Sequence, residues 1–302
     1  MQKLQYHLVD VFTDRAFAGN QLAVFLDGAD ISDELMRKLA GELSLAETTF
    51  VLPSTKKECD FHVRIFTTTT EIPFAGHPTL GTAFVLAHEG KVKLSGSEQV
   101  VSFEEGVGII PVHLEIVNGQ AVTIRMKQPL PKFGSEFTNR FQLAELLSID
   151  SEAIDHKHPA QVVGCGVPFL FIPLKNLDVI RNVKLRLDVW DRFLRSSEAP
   201  CVVVFTAETV HDNSTVHCRM FAPGLGVMED AATGSANGPL GCYLVKHDIV
   251  SCDDKVDIIS EQGYEMGRPS IINIEIKTRE GEINSVVVGG KCVYIGQGYI
   301  EV

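Results

Sequence analysis

The stretch PFAGHPTLG, residues 73–81, lies where a strand-like pattern ends and a helical pattern begins. The run before it, CDFHVRIFT, alternates well enough to be a strand. The residues after it recur with i, i+3, i+4, i+7 spacing, which is typical of one helical face: Leu80, Ala83, Phe84 and Ala87. Pro78 suits the first helical position, and Gly90 suits a C-terminal stop. The pattern predicts a strand, a loop through Gly76 and His77, and an apolar core helix.

Residues 216–248, VHCRMFAPGLGVMEDAATGSANGPLGCYLVKHD, repeat this plan of strand, glycine-bearing loop and helix. One side of the second helix is apolar and consists of Ala236, Leu240, Tyr243 and Leu244. Arg64-Ile65-Phe66 and Arg219-Met220-Phe221 hold matching places ahead of the two helices. We therefore predict two structurally similar halves.

The boundary between the halves is expected within MKQPLPKFG, residues 126–134, where two prolines and a glycine interrupt any strand or helix. The predicted domains are residues 1–126 and residues 127–302, with the last strands of the second able to return to the first. Around the two repeats the chain is mostly β. Strands are predicted in LQYHLVDVF, after Gly19 and Asn20, and in TTFVLP, which its proline terminates.

One further helix is predicted ahead of TTFVLP. Ser32 is its candidate N-cap, and its apolar face consists of Leu35, Met36, Leu39, Ala40 and Leu43. A chain of many strands and a few strong helices indicates an α+β fold.

Composition excludes several classes of function. Asp and Glu number 39 against 27 Lys and Arg, a formal net charge of −12 over 302 residues, so a nucleic-acid or anionic-membrane surface is not expected. The N-terminus lacks an apolar signal-peptide core, and no apolar stretch could span a bilayer, so we expect a cytoplasmic protein. Seven cysteines without a C-x-x-C pair favour reduced, mostly buried thiols over disulfides or a zinc site.

Two helix N-termini offer an anion site that needs no Lys or Arg. The helices after Gly76-His77 and Thr233-Gly234-Ser235 would each present unpaired N–H groups and about half a positive charge. If the two halves face each other, these ends converge on one cleft suited to a small carboxylate. For either loop alone, a helix cap or a chain turn is the simpler interpretation, and only their match favours a site.

Three side chains near these loops suggest proton transfer. Glu47 lies between a helix end and an apolar strand, where burial would raise the pKa of its carboxyl toward the range of a general base. Asp230 offers a second carboxylate, and His77 offers a donor or shuttle. On spacing alone, a solvated helix-end residue is the preferred interpretation of Glu47, and a helix-capping acid explains Asp230 equally well.

The chain resembles the PhzF family, the phenazine-biosynthesis isomerase-like proteins of the diaminopimelate epimerase superfamily. The motifs that carry the resemblance run in order through nearly the whole chain: VDVFTDRAFAGNQLAVF, LAETTFVLP, RIFTTTTEIPFAGHPTLGTAFVL, MEDAATGSANGPLGCYLV, EQGYEMGRPS and VVVGGKCVYIGQG. The resemblance implies two similar α+β domains, each a barrel-like, mostly antiparallel sheet around a central helix, with the active site in the cleft between them. It also implies a homodimer and no metal or organic cofactor.

Carried over residue by residue, the resemblance implies that Glu47 is the acid/base that moves a proton between carbons of the substrate. His77, Asp230 and Ser235 fall at the family's other active-site positions, where they would orient the substrate and support the proton shift. These roles agree with the interpretation of the residues given above.

The loops marked by Gly76 and Gly234 would receive a substrate carboxylate on their backbone amides. In the family's type member the reaction is isomerisation of trans-2,3-dihydro-3-hydroxyanthranilate, whose anion is delocalised over its double bonds and carboxylate, so that no metal is needed. The resemblance thus implies a cofactor-independent isomerase of a small unsaturated or cyclic carboxylic acid. The alternative is a non-catalytic ligand-binding or protein-interaction member of the same fold.

The chain departs from the family pattern at Gln21 and Ala231, where the family commonly has proline. The thiol-dependent racemases and epimerases of the superfamily use one cysteine from each half. By motif, their positions fall near Ala75 and Ala231, so a two-thiol racemase is not expected.

Two further residues are candidate substrate contacts. Asn20 lies in an FAGN that echoes the FAGH of residues 74–77, although a turn asparagine of positive φ explains it equally well. Arg268, in MGRPS, can contact substrate or brace the cleft, and an ordinary turn-region arginine is an equal explanation.

Overall fold

The computed structural model describes residues 2–302. These residues form two compact units: one runs to Lys127 and includes Gly289–Val302, and the other is Gln128–Val288. The predicted boundary between residues 126 and 127 lies one residue before the observed boundary between Lys127 and Gln128. The predicted second half ran to residue 302 with its last strands able to return to the first half, and residues 289–302 group with the first unit.

Strands outnumber helices throughout. From Lys3 to Gln128 the elements are β1 (Lys3–Val11), β2 (Asn20–Phe25), α1 (Asp33–Leu43), β3 (Glu47–Pro53), β4 (Phe61–Phe66), β5 (Glu71–Ile72), α2 (Gly76–His88), β6 (Glu98–Glu105), β7 (Gly108–Val117) and β8 (Gln120–Gln128). The later elements are β9 (Lys132–Phe137), α3 (Arg140–Leu147), β10 (Ala160–Cys165), β11 (Val167–Pro173), α4 (Leu177–Asn182), α5 (Leu187–Phe193), β12 (Cys201–Thr206), β13 (Val216–Ala222), β14 (Val227–Asp230), α6 (Gly234–Lys246), β15 (Lys255–Gln262), β16 (Ser270–Arg279), β17 (Glu282–Gly290) and β18 (Cys292–Glu301).

The first unit is a mixed, mostly antiparallel sheet. β18 pairs with β1, β1 with β2, β3 with β4, β6 with β7, and β7 with β8, all antiparallel. The β2–β3 and β4–β6 pairs are parallel. Helix α2 packs against β1, β2, β3, β7 and β18. Because strands contact it on several sides, α2 is buried along almost its whole length, and only Phe84 and His88 are not buried.

The second unit repeats this succession of pairs. β9 pairs with β10, β10 with β11, β12 with β13, and β15 with β16, all antiparallel. The β11–β12 and β13–β15 pairs are parallel. Helix α6, which like α2 has 13 residues, packs against β10, β11 and β16. The predicted α+β class is confirmed, and the two units share one plan.

The helix ends follow local chemistry. Ser32 caps α1 as predicted, since its hydroxyl accepts from the Leu35 N–H, and Gly90 after α2 takes a left-handed φ of +67°. The prediction for Pro78 was wrong by two positions, because α2 begins at Gly76. An extended Ala75, with φ −152°, starts the helix early. Proline is tolerated at the third position of a helix, because the N–H groups of the first turn have no acceptor within the helix.

All seven cysteines are free, and four of them, Cys165, Cys201, Cys218 and Cys242, are buried. The prediction of unpaired, mostly buried thiols is thereby confirmed. Among residues 2–302, no helix combines the length and the apolar character needed to cross a membrane.

Candidate active site

Asn20, Glu47 and His77 lie together in the first unit. Asn20 begins β2, Glu47 begins β3, and His77 is the second residue of α2. The parallel pairing of β2 with β3, in which Leu22 is opposite Glu47, places the two strand starts at one edge of the sheet. His77 Nε2 is 3.4 Å from Glu47 Oε2, and Asn20 Nδ2 is 3.2 Å from His77 Nδ1. Three of the predicted site residues are therefore neighbours.

Asn20 is not the positive-φ turn residue that its alternative explanation required. Gly19 has the positive φ, +68°, and a Cβ there would lie 2.3 Å from the carbonyl oxygen of Val11. Only glycine fits this turn. Asn20 is thus free to enter β2 as a buried residue, and its side chain contacts His77.

His77 is a neutral, buried imidazole. Burial lowers its pKa to about 3, against a smaller raising effect from a hydrogen bond with the Gln21 backbone. The contact between the Asn20 amide and His77 Nδ1 fits either imidazole tautomer, depending on which way the amide is turned. Within residues 2–302, Nε2 makes no hydrogen bond. It is the ring nitrogen that faces the Glu47 carboxylate.

The start of α2 lies beside this group and has no side-chain cap. Ala75 occupies the N-cap position and its side chain makes no hydrogen bond there. Pro78 has no N–H, and the Thr79 N–H reaches the Ala75 carbonyl oxygen at 3.3 Å. The helix therefore presents its partial positive charge at Gly76 and His77. Such an end suits a carboxylate.

In the second unit, Asp230 is the last residue of β14 and is held by a buried network. The Thr233 hydroxyl donates to Asp230 Oδ2 at 2.5 Å, and Gln262 Nε2 donates to the Asp230 carbonyl oxygen at 2.8 Å. Gln262 Oε1 accepts from Thr233 N and from Asn237 Nδ2, at 3.1 and 3.0 Å. Asp230 is thus not a helix-capping acid, since Thr233 occupies the N-cap position.

Gly234 and Ser235 are the first two residues of α6. The Gly234 carbonyl oxygen accepts from Gln128 Nε2 at 2.9 Å. Ser235 is half-buried and lies inside the helix, so it is not the cap. Thr233, the N-cap, makes no side-chain hydrogen bond to the first turn. The second unit thus also presents an uncapped helix start, with Asp230 close to it in sequence.

Arg268 lies in the loop between β15 and β16. Its N–H donates to the Gly263 carbonyl oxygen at 3.0 Å, and its own carbonyl oxygen accepts from Ser270 Oγ at 3.0 Å. Gly263 has a φ of +79°, and a Cβ there would lie 2.4 Å from the Ala231 carbonyl oxygen. The loop that carries Arg268 therefore packs against the loop that leads into α6.

The position in the second unit that matches Ala75 is Thr233, and not Ala231 as motif comparison suggested. Ala75 and Thr233 each immediately precede the glycine that begins a 13-residue helix. Ala231 lies two residues earlier and matches Pro73. Neither Ala75 nor Thr233 is a cysteine.

A buried ion cluster joins β13 to the end of β15, and sequence reasoning missed it. His217 Nδ1 is 3.0 Å from Glu261 Oε2, and His217 Nε2 is 3.1 Å from Glu265 Oε1. Burial acts to lower the pKa of His217, but hydrogen bonds to both glutamates outweigh it, so the pKa is raised. Gln262 was missed as well, although EQGYEMGRPS contained it. The signal that finds both is the parallel β13–β15 register, which no local pattern shows.

Comparison with known proteins extends over both units. The family model described as phenazine biosynthesis-like protein, PhzC-PhzF, matches residues 9–298. The trans-2,3-dihydro-3-hydroxyanthranilate isomerase of Pseudomonas chlororaphis is 34% identical over 297 residues, 98% of each chain. An uncharacterised isomerase of Clostridium acetobutylicum is 30% identical over 298 residues, 98% of this chain and 97% of its own.

The fold has a counterpart among solved structures. The crystal structure of a PhzF-family phenazine biosynthesis protein of Bacillus anthracis matches with a TM-score of 0.91 and 24% identity, over 100% of both chains. Sequence and fold thus point to the same group of proteins. The chain belongs to the PhzC-PhzF family of phenazine biosynthesis-like proteins and is an isomerase of the PhzF type.

Proposed function

We propose that this isomerase moves a proton between two carbons of a small unsaturated or cyclic carboxylic acid, with Glu47 as the acid/base and without a cofactor. One observation carries the proposal. The Glu47 carboxylate, whose side chain is 15% exposed, lies 3.4 Å from Nε2 of a neutral His77 at the uncapped start of α2. The proposal takes Glu47 as the proton acceptor, His77 as the proton donor and the start of α2 as the anion-binding group.

The proton transfer then needs two steps. Glu47 removes a proton from a substrate carbon: the C–H bond breaks, an O–H bond forms on Glu47, and the electron pair spreads over the substrate's double bonds and carboxylate. Glu47 next returns the proton to a different carbon, which restores its carboxylate. Because the pKa of His77 is lowered to about 3, His77 stays neutral and does not form an ion pair that would weaken Glu47 as a base.

The substrate class follows from the helix start and from the relatives. The Pseudomonas chlororaphis isomerase is named for a cyclic, unsaturated acid. We propose that the amides around Gly76 receive the carboxylate of such an acid, and that Asn20 fixes His77 beside it. Backbone amides are a suitable carboxylate-binding group in this protein, because its net charge is −12 and none of Asn20, Glu47, Gly76 and His77 is a Lys or Arg.

The proposed roles of the second unit concern orientation of the substrate. Asp230 and Ser235 are proposed to orient it, Gly234 to offer a backbone amide, and Arg268 to contact it. Each of these roles is open to test by its own substitution, and Ser235→Ala removes a hydroxyl without disturbing the Asp230 network. The acid/base assignment does not depend on them.

The test follows the protons of trans-2,3-dihydro-3-hydroxyanthranilate by NMR in D₂O. Wild type should isomerise the acid or exchange one of its C–H protons. Glu47→Gln, which keeps the shape of the side chain and removes its basicity, should lower the rate by about 10²–10⁴-fold. Glu42→Gln, an exposed glutamate of α1, is the matched control and should behave as wild type.

The outcomes separate the parts of the proposal. Full activity of Glu47→Gln, with a wild-type melting temperature, would show that another group carries the proton. If wild type leaves the acid unchanged while exchanging a C–H proton of another unsaturated acid, the proton chemistry stands and this substrate is excluded. Wild type that acts on no acid of a broad panel would favour the non-catalytic alternative.

A further inference from the structure

The two units place a glutamate and a glutamine at one corresponding position. β6 ends at Glu105 and β15 ends at Gln262, each after eight residues. In the parallel pairs, His62 is opposite Glu104 and His217 is opposite Glu261, so the residue that follows each glutamate is equivalent.

The glycine after each of these residues confirms the equivalence. A Cβ on Gly106 would lie 2.7 Å from Pro73 Cα, and a Cβ on Gly263 would lie 2.4 Å from the Ala231 carbonyl oxygen. Pro73 and Ala231 are the matching residues of the loops that lead into α2 and α6. Each strand end therefore packs on the loop before its own helix.

In the second unit the glutamine holds that loop through both ends of its amide. Gln262 Nε2 donates to the Asp230 carbonyl oxygen and to Thr233 Oγ1, at 2.8 and 3.0 Å. Its Oε1 accepts from Thr233 N and from Asn237 Nδ2. In the second unit, the position that corresponds to Glu105 is therefore occupied by a neutral side chain that both donates and accepts hydrogen bonds.

In the first unit a donating Glu105 accounts best for the geometry. Thr79, which matches Asn237, has its hydroxyl oxygen 2.7 Å from the Ala75 carbonyl oxygen and 2.7 Å from Glu105 Oε1. A hydroxyl has one proton, so with an ionised Glu105 the Thr79 hydroxyl must share that proton between two acceptors. If Glu105 is protonated, it donates to Thr79 while Thr79 donates to Ala75, and each contact has its own proton.

The surroundings of Glu105 favour the same protonated state. Glu105 is 4% exposed, and its Oε2 has no hydrogen-bond partner within residues 2–302. Burial raises the pKa of Glu105 to about 8, and this outweighs the lowering effect of the hydrogen bond that Thr79 would donate to the ionised carboxylate. An ionised carboxylate with one oxygen that accepts no hydrogen bond would lower the free energy of unfolding at such a buried site.

Among residues 2–302, no charged group offsets the burial of Glu105. From α2 it faces Thr79, and the nearest titratable residue on that helix is His77, neutral at a pKa of about 3. β7 pairs with it at Gly108. The adjacent Glu104 points to the other face of the sheet, as strand alternation requires, toward Thr55 and near His62, and its pKa is lowered to about 2.

We propose that Glu105 is a positioning residue that works as a neutral carboxylic acid, donating to Thr79 and so holding the first turn of α2, as Gln262 holds the corresponding loop. This inference rests on the proposed function, since that turn carries Gly76 and His77. The neutral state also leaves the positive end of α2 free, because an ionised Glu105 would compete there with a substrate carboxylate.

The test begins with protein whose glutamate side-chain carboxyl carbons are labelled with ¹³C, titrated by NMR. The resonance missing in Glu105→Gln should titrate with a midpoint near 8 in wild type. Glu104→Gln is the matched control, since it removes a neighbouring carboxylate that is already ionised at pH 5. A Glu105 resonance that is ionised at pH 6 would overturn the proposal.

A second readout reports the turn itself. Amide hydrogen-exchange protection of Thr79 and Leu80, the first amides of α2 with helical acceptors, should fall in wild type as the pH rises through 8 and should stay constant in Glu105→Gln. Thr79→Val, which removes the hydroxyl, should lower this protection at all pH values. Protection that is the same in wild type and both variants would contradict the positioning role.

The kinetic readout uses trans-2,3-dihydro-3-hydroxyanthranilate. The KM of wild type should rise about fivefold between pH 6.5 and pH 9 relative to that of Glu105→Gln, with a smaller effect on kcat. An identical KM profile in the two proteins would remove the electrostatic part of the proposal. If wild type does not act on this acid, the proposed function fails for it, whereas the titration and the exchange still decide the role of Glu105.

Discussion

The side-chain amide of Asn20 lies 3.2 Å from Nδ1 of His77, while Nε2 of the same ring faces Glu47. The two ring nitrogens thus contact residues at the starts of two different strands, β2 and β3. Asn20 and Glu47 are therefore linked through one imidazole at the start of a helix.

We predict that Asn20→Asp lowers kcat by at least about tenfold. The proposed donor role of His77 needs a proton on Nε2, whereas a carboxylate at position 20 accepts from Nδ1 and holds the proton there. Nitrogen-15 NMR of the labelled imidazole should show the change of tautomer or protonation directly. Unchanged kcat together with an unchanged tautomer would contradict the prediction. A thermal melt of the variant controls for loss of folding.

The ion cluster of His217 gives a prediction for stability and pH. Its pKa is raised above 6.5 in the folded protein, so its stabilising contribution is present below pH 6.5 and is lost as the pH rises through the folded pKa. The pKa values of Glu261 and Glu265 are lowered: burial opposes this, but the hydrogen bonds from His217 outweigh it. Their contribution is lost as the pH falls below about 4.5.

We therefore expect the free energy of unfolding of wild type to fall relative to that of His217→Gln between pH 6 and pH 9. Urea denaturation of both proteins at several pH values measures the difference. Glu105 also titrates in this range, but it is present in both proteins and cancels. A constant difference across the range would show that His217 does not change its charge there.

Two glycines in helices predict opposite effects of one substitution. A Cβ on Gly81, in α2, would lie 2.7 Å from side-chain atoms of Leu22 and Val11, whereas a Cβ on Gly41, in α1, meets only the Thr68 carbonyl oxygen at 3.5 Å. Gly81→Ala should destabilise the protein by about 1–3 kcal/mol through overpacking. Gly41→Ala should stabilise it by up to about 1 kcal/mol through helix propensity. Equal melting temperatures of the two variants would refute the packing argument.

The matching arginines of the two units differ in burial. Arg219 forms two hydrogen bonds with the Glu229 carboxylate and donates to the Ile180 and Val183 carbonyl oxygens, and its side chain is 8% exposed. Arg219→Met should cost about 3–5 kcal/mol, because it leaves buried acceptors and a carboxylate unpaired. Arg64 is 16% exposed, and its partners are more exposed than Glu229. Arg64→Met should therefore lower the free energy of unfolding by about 1 kcal/mol or less. Denaturant titrations that rank the two variants the other way would contradict this.

Much of the fold could be predicted from the sequence, because its determinants are local. The Ser32 cap, the strand that begins at Glu47, and the apolar helix after Gly76 follow from residue type and spacing. The start of α2 could not be predicted, because the extended conformation of Ala75 depends on the loop around it. The return of the last strands to the first half was allowed for, but its extent, residues 289–302, rests on pairing between β18 and β1, which are far apart in the chain.

The residues of the candidate site were predictable, but the contacts between them were not. The sequence motifs indicated Glu47, His77 and Asp230, but local spacing does not reveal a bond between residues 57 positions apart, such as Asn20 and His77. Gln262 was missed for the same reason, because its hydrogen bond to the Asp230 carbonyl oxygen joins residues 32 positions apart. Burial, which sets the pKa of His77, is also a property of the folded units.

The pairing of β18 with β1 has a consequence for synthesis on the ribosome. β1 leaves the exit tunnel long before β18, because the strand that covers its outer edge is translated only after all of Gln128–Val288. The first unit must wait with an open sheet edge while the second unit, which is continuous in the chain, can already close. Such an exposed edge is an opportunity for wrong pairing, so chaperone binding to nascent chains should be strongest before residue 292 emerges.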